Sequence, residues 1–275
     1  MIRPLIYALS RSRLAGHVAA NVPGFRGFSR RFVAGETQQD VIDAVRRLNA
    51  QGFDATVSFL GEEVTDERAV EAAIRECTSY AAAVKDQALR SHISIKLSEL
   101  GLAFDRDLAA RSLHDVLDAA QAAGTFVRID MEDARYTDAT LSLFRDIRAT
   151  HENVGVVIQA SLRRSERDVA RLAAEGAPVR LVKGAYREPE HVAYQDKRDV
   201  DEAFVRLAAL YFERMAPEGW LAVATHDARM IRAAIAAAQA TFWRRRPSDA
   251  SYETLPRSEE RRVGKECRSR WSPYH

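Results

Sequence analysis

Short apolar runs alternate along this chain with longer stretches in which apolar residues return every three or four positions. Phe53 to Leu60, His92 to Leu97, Phe126 to Ile129, Val154 to Ile158, Val179 to Val182 and Leu221 to Ala224 read as strands. The stretches Asp66 to Leu89, Asp107 to Ala123, Asp138 to Thr150, Ser165 to Glu175, Val200 to Arg214 and Asp227 to Thr241 read as helices. The strands are β-branched and almost continuously apolar, as in a parallel sheet buried on both faces. The helices between them are long enough to serve as crossovers. Upstream, Thr37 with Asp40 three residues on marks a capped helix start, and Val41, Ile42, Val45 and Leu48 give that helix its apolar stripe. Residues 1–36 read as short helices with a joint at Asn21-Val-Pro-Gly24.

Six β/α units permit a (β/α)8 barrel or a doubly wound sheet. The first strand is followed by no Gly-rich dinucleotide fingerprint, which favours the barrel. A barrel gathers its chemistry at the carboxyl ends of the strands. Those ends are polar here: Lys96-Leu-Ser98 after the second strand, Asp130-Met131-Glu132 after the third, Gln159 at the fourth, Arg180 and Lys183 at the fifth, and Thr225-His226-Asp227 at the sixth. Two cations beside a buried strand are costly unless something anionic or electron-rich lies against them. Each position also has a plainer reading. Lys96 can pair with Glu99 or Asp130, Gln159 can be a satisfied core amide, and Asp227 can cap the last helix with His226 at its start. The spacing of His, Cys and Asp matches no zinc site, so no metal is expected. Ser98 and Ser161 lack a nucleophile elbow.

The chain has 275 residues, 47% of them hydrophobic, enough for a sizeable core. The net charge of +2 comes from residues 257–275, which hold six Lys/Arg and three Asp/Glu; the rest carries 35 basic and 36 acidic residues, a net of −1. No broad basic field for nucleic acid is expected, and Arg244-Arg245-Arg246 reads as a solvated helix end. Residues 257–275 show no apolar periodicity and resemble the translated read-through of a sequencing adapter, so they are expected to be an artefactual tail. Two cysteines give no disulfide framework and suit a reducing cytoplasm.

Ile95-Lys96-Leu97-Ser98, Val127-Arg-Ile-Asp130-Met131-Glu132-Asp, Val156-Val-Ile-Gln159, Arg180-Leu-Val-Lys183-Gly-Ala-Tyr186 and Ala224-Thr225-His226-Asp227 resemble, in order and spacing, the motifs of the proline dehydrogenase family. The resemblance runs from about residue 25 to 240 and is strongest to the short bacterial form. It implies an α/β fold, a distorted (β/α)8 barrel with extra N-terminal helices, and FAD at its carboxyl face. It also implies oxidation of L-proline to 1-pyrroline-5-carboxylate by hydride transfer to FAD, and a quinone as electron acceptor. Lys96 would then grip the substrate carboxylate. Asp130 and Arg180 would be the catalytic pair, with Arg180 also beside the flavin. Met131, Gln159, Lys183, Gly184, Ala185, Thr225 and His226 would bind the cofactor, and Tyr186 would touch the substrate pocket. The quinone implies a cytoplasmic protein with loose contact at the membrane surface.

The family's seventh and eighth strands and its last helix, with an Arg pair that clamps the carboxylate, find no match. The expectation is therefore an incomplete barrel over residues 37–256, with Tyr252 to Leu255 the beginning of a seventh strand, poorly soluble or partly unfolded, with weak FAD binding and negligible turnover. Two other readings are a Schiff-base lyase of aldolase type using Lys96 or Lys183, and a non-enzymatic binding module acting through the basic tail.

Overall fold

A computed structural model of the protein describes residues 35, 37–59 and 64–245, with only the backbone described for 242–245. The expected N-terminal helices, the Tyr252 to Leu255 strand and the tail lie outside the described residues. So does Arg246, with the side chains of Arg244 and Arg245. The elements run α1 (Gln38–Ala50), β1 (Ala55–Ser58), α2 (Glu67–Asp86), β2 (Ser91–Ile95), a 3-10 turn (Leu97–Leu100), α3 (Arg106–Ala122), β3 (Val127–Ile129), α4 (Thr137–Arg148), β4 (Val154–Gln159), α5 (Ser165–Ala174), β5 (Val179–Val182), α6 (Lys197–Arg214), β6 (Leu221–Ala224) and α7 (Ala228–Arg245). All six strands are parallel and pair in chain order. That is the strand order of a (β/α) barrel carried through six units.

Local chemistry fixes where the helices begin. Thr37 and Asp40 form the expected reciprocal capping box ahead of α1. Aspartates 66, 105 and 196 accept backbone N–H groups at the starts of α2, α3 and α6. The Asp196 cap starts α6 at Lys197, three residues before the position expected from the apolar pattern. β1 is shorter than expected because the Phe53 N–H closes the end of α1 on the Leu48 carbonyl, which leaves Ala55 as the first paired residue.

The strand register sorts the side chains onto two faces. Ile93, Ile95, Val127, Ile129, Val154, Val156, Ile158, Val179 and Leu181 are almost wholly buried and belong to the core shared with the helices. Removing such a side chain from water stabilises by about 1.5–3 kcal/mol each. Their neighbours along each strand make the other face, which carries Thr56, Ser94, Arg128, Gly155, Val157, Arg180 and Ala222. This inner face is the polar one, and the sheet curls around it, so that Arg180 of β5 reaches β1 and β2.

Candidate active site

The inner face is layered. At the amino ends of the strands, the rings of His92, Phe126 and Trp220 meet at centroid distances of 5.3–5.4 Å. The wholly buried Arg128 guanidinium lies over Phe126 at 5.0 Å and Trp220 at 4.6 Å. Such cation–π contacts strengthen when desolvated. Gly155 stands opposite because a Cβ there would come within 2.8 Å of the Phe126 ring and 2.7 Å of the Pro178 carbonyl oxygen.

Above that layer, toward the carboxyl ends, Arg180 and Asp130 come together. Asp130 follows β3 directly; its N–H continues the ladder to the Ile95 carbonyl at 2.7 Å. Ser94 Oγ donates to Asp130 Oδ1 at 2.8 Å. Arg180 Nη1 lies 3.4 Å from Ser94 Oγ and 3.6 Å from Asp130 Oδ1, while Nη2 reaches Thr56 Oγ1 at 3.3 Å. Asp130 is 7% exposed and Arg180 8%, so this charge pair is shielded from bulk water.

Lys96 sits just past β2 and pairs with Glu99 across 2.7 Å, the plainer partner foreseen for it. Next to it, Glu132 accepts hydrogen bonds from the Ser98 N–H at 3.0 Å and the Ser98 hydroxyl at 2.5 Å. Burial pushes the Glu132 carboxyl above its ordinary value, with Ser98 and Lys96 opposing the shift only in part. The same segment carries the buried Met131. Asp130 and Glu132, two residues apart, do not act as one carboxylate pair. β3 ends at Ile129, and the two carboxylates bind different residues around β2.

Gln159 is 2% exposed and donates Nε2 to the Glu132 carbonyl at 2.7 Å. Its Oε1 is buried without a hydrogen-bond partner, as is the Ser161 hydroxyl. Both oxygens crowd Gly184. A Cβ there would lie 2.2 Å from Ser161 Oγ and 2.9 Å from Gln159 Oε1, and φ at Gly184 is +112°, which L residues rarely adopt. Two orphaned polar atoms beside a backbone cradle kept open by glycine are features that a flat polar ring system fits.

At the rim, Lys183 pairs with Asp201 Oδ1 of α6 at 2.9 Å, and Lys197 with Asp201 Oδ2 at 2.5 Å. Burial works to raise the Asp201 carboxyl, but the two lysines outweigh it and hold it below the ordinary range. Arg229 reaches Asp201 at 3.7 Å and Asp227 at 3.4 Å, so the segments after β5 and β6 are tied together through charge. Thr225 is buried and accepts the Asp227 N–H at 3.1 Å; Asp227 in turn accepts the Arg229 N–H, the foreseen cap of α7. Ala185, Tyr186 and His226 are exposed at this rim. Among the candidate residues, the structure thus unites Asp130 with Arg180 and Gln159 with Gly184. Lys96 and Lys183 lie nearer the mouth, each held by its own carboxylate. Thr56, Ser94, Arg128 and Asp201 belong to the same inner face or rim without having been singled out from the sequence.

Among the described residues, no group of three or more His, Cys, Asp or Glu is placed to hold a metal, and no helix is long and apolar enough to cross a membrane.

Residues 41–255 match the profile of the proline dehydrogenase family. The chain is 36% identical over 229 residues to proline dehydrogenase 2 of Bacillus subtilis (strain 168), covering 83% of this chain and 74% of that protein. It is 35% identical over 215 residues to a proline dehydrogenase of Deinococcus radiodurans, covering 74% of this chain and 66% of that protein. Among solved structures it superposes on proline utilization A from Bdellovibrio bacteriovorus with a TM-score of 0.72 at 23% identity, over 82% of this chain. It spans 28% of that longer chain, and at this identity the likeness is one of fold. With the strand-end motifs, the curled parallel sheet and the family profile in agreement, this chain belongs to the proline dehydrogenase family.

Proposed function

We propose that this chain oxidises L-proline to 1-pyrroline-5-carboxylate, with FAD lying along the carboxyl ends of β3 to β6 and a quinone taking the electrons at a loose contact with the membrane surface. Bound FAD would supply the two-electron acceptor for the hydride that leaves the proline ring carbon next to nitrogen. The protein's part is binding, orientation and fixed charge.

The observation that carries this reading is the Arg180–Ser94–Asp130 cluster on a water-poor inner face, together with the unpaired Gln159 amide oxygen beside Gly184. Arg180 holds a positive charge where negative charge builds up during the reaction, and such a charge acts mainly on the transition state. Asp130 fixes the polar network beside the substrate. Lys96, at the mouth, offers an ammonium to the substrate carboxylate while Glu99 steadies it. Gln159 donates its amide N–H to the Glu132 carbonyl, and its oxygen is left to accept from a ring N–H, with the buried Met131 offering an apolar surface to the ring. Lys183, Gly184 and Ala185 hold the cofactor where the chain turns out of β5, and Thr225 with His226 reaches its nucleotide end.

Family membership sets the aldolase reading aside, and both lysines it would use are held by carboxylates. Titration with FAD of these six units carried in an eight-stranded barrel, followed by trapping of 1-pyrroline-5-carboxylate after addition of proline, tests the proposal. Saturable flavin uptake with proline-dependent product supports it. Failure to take up flavin, or uptake without product, refutes it.

A further inference from the structure

We propose that Ser94 and Thr56 are positioning residues that hold the Arg180 guanidinium for proline oxidation, and that the Ser94 hydroxyl bridges the Arg180–Asp130 ion pair and sets its spacing. This rests on the proline-oxidising reading above and deepens it. The 3.6 Å between Arg180 Nη1 and Asp130 Oδ1 is too long for a hydrogen bond. Ser94 Oγ fills the gap, donating to Asp130 Oδ1 at 2.8 Å and accepting from Arg180 Nη1 at 3.4 Å. A hydroxyl has one proton and two lone pairs, so its donation to the carboxylate leaves only acceptor capacity for the cation. The direction of the chain is thereby fixed, from guanidinium to hydroxyl to carboxylate.

Thr56 Oγ1 takes the other end of the fork, Nη2, at 3.3 Å. The two anchors come from β1 and β2 while the arginine comes from β5, so the plane of the guanidinium is set by three strands at once. Ser94 is 1% exposed, and no bulk water competes for its oxygen. Without the Ser94 hydroxyl, cation and carboxylate are free to close into a direct, shorter pair. That closure would withdraw the positive charge from the reacting centre while leaving the barrel intact.

The test compares Ser94→Ala, Thr56→Val and Thr56→Ser with the wild-type protein, all loaded with FAD. Four quantities are read: FAD affinity, thermal midpoint, rate of flavin reduction by saturating proline under anaerobic conditions, and flavin midpoint potential. Ser94→Ala is expected to slow reduction about tenfold and to make the potential more negative by about 30 mV, a tenfold change for a two-electron couple, with FAD affinity retained. Thr56→Val is expected to shift both in the same direction by less, and Thr56→Ser, which keeps the oxygen, to recover most of that loss. Wild-type rate and potential in Ser94→Ala, or a loss that only follows flavin content, overturns the proposal. If Ser94→Ala does not fold, the Thr56 pair decides: equal values for Thr56→Val and Thr56→Ser overturn it. A wild-type protein that binds FAD yet is not reduced by proline defeats the functional reading itself and this proposal with it. A reducible wild type with unchanged variants defeats this proposal alone.

Discussion

Thr56 and Arg180 stand four strands apart in the sheet, yet Arg180 Nη2 lies 3.3 Å from Thr56 Oγ1. In a flat sheet, strands β1 and β5 would be separated by about 19 Å at a spacing of about 4.8 Å per strand, more than one arginine side chain spans. The sheet must therefore curl, and the curl turns six strand interiors into one shared wall. Residues that are remote in sequence become neighbours around a single concave space, as the barrel architecture requires.

The charge at Arg180 is expected to matter for rate more than for cofactor retention. Arg180→Ala should lower turnover by about two orders of magnitude, the effect of removing about 3 kcal/mol of transition-state stabilisation. FAD content per folded molecule should fall far less. Turnover and flavin-to-protein absorbance measured on the same preparations check this; losses of equal size would contradict it.

Gly184 is expected to tolerate no side chain. Gly184→Ala combines a strained φ of +112° with a Cβ placed 2.2 Å from Ser161 Oγ. A cost of about 1–3 kcal/mol is expected from the backbone conformation alone. Adding Ser161→Ala should return the part due to the Ser161 Oγ clash and not the parts due to φ or to Gln159 Oε1, which a Cβ would approach to 2.9 Å. A double-mutant cycle of urea unfolding separates the Ser161 contribution from the rest.

At the opposite end of the barrel, Gly155→Ala is expected to destabilise by about 1–3 kcal/mol through overpacking. The added methyl meets the Pro178 carbonyl oxygen, which is backbone, and the tip of the Phe126 ring, which His92, Trp220 and Arg128 pack in place. Calorimetry should show the lower thermal midpoint. Turnover per folded molecule should be unchanged, since Gly155 lies in the Arg128 layer and the proposed chemistry lies two strand positions further on, at Arg180.

Glu132 gives a pH signature with a definite sign. Burial raises its folded-state value above the ordinary glutamate value, so over the window just above that ordinary value the native state holds a proton that the unfolded chain has released. The native state then binds more protons, and stability falls as pH rises through the folded value. Glu132→Gln keeps an acceptor for the Ser98 N–H and removes the titration. Its unfolding free energy should therefore gain on the wild type as pH increases through that window, as read by urea unfolding at several pH values. Parallel curves would contradict this.

Much of this was legible in the chain. Val179-Arg180-Leu181 and Val127-Arg128-Ile129 each put one cation inside an apolar strand, and period-two alternation turns that cation to the face opposite the helices. What was hidden follows from the same physics. Thr56 and Ser94 are small enough to pass as ordinary strand residues, and only curvature brings their oxygens to Arg180. The aromatic cover of Arg128 pairs Phe126 with Trp220, residues joined by the curl of the sheet and by nothing local. Asp201 lies in a run of charges at the start of α6, where sequence cannot tell a buried anchor for Lys183 from a solvated helix face. The strand ends themselves were clear because polar residues interrupt apolar runs there.

Anaerobic addition of L-proline to the FAD-loaded protein is the most direct test of the central claim, that the inner face around Arg180 and Asp130 oxidises proline. The visible flavin band is expected to bleach with saturation in proline, accompanied by one 1-pyrroline-5-carboxylate per flavin reduced. An oxidised flavin band that persists at saturating proline, in a protein that has taken up FAD, would contradict it.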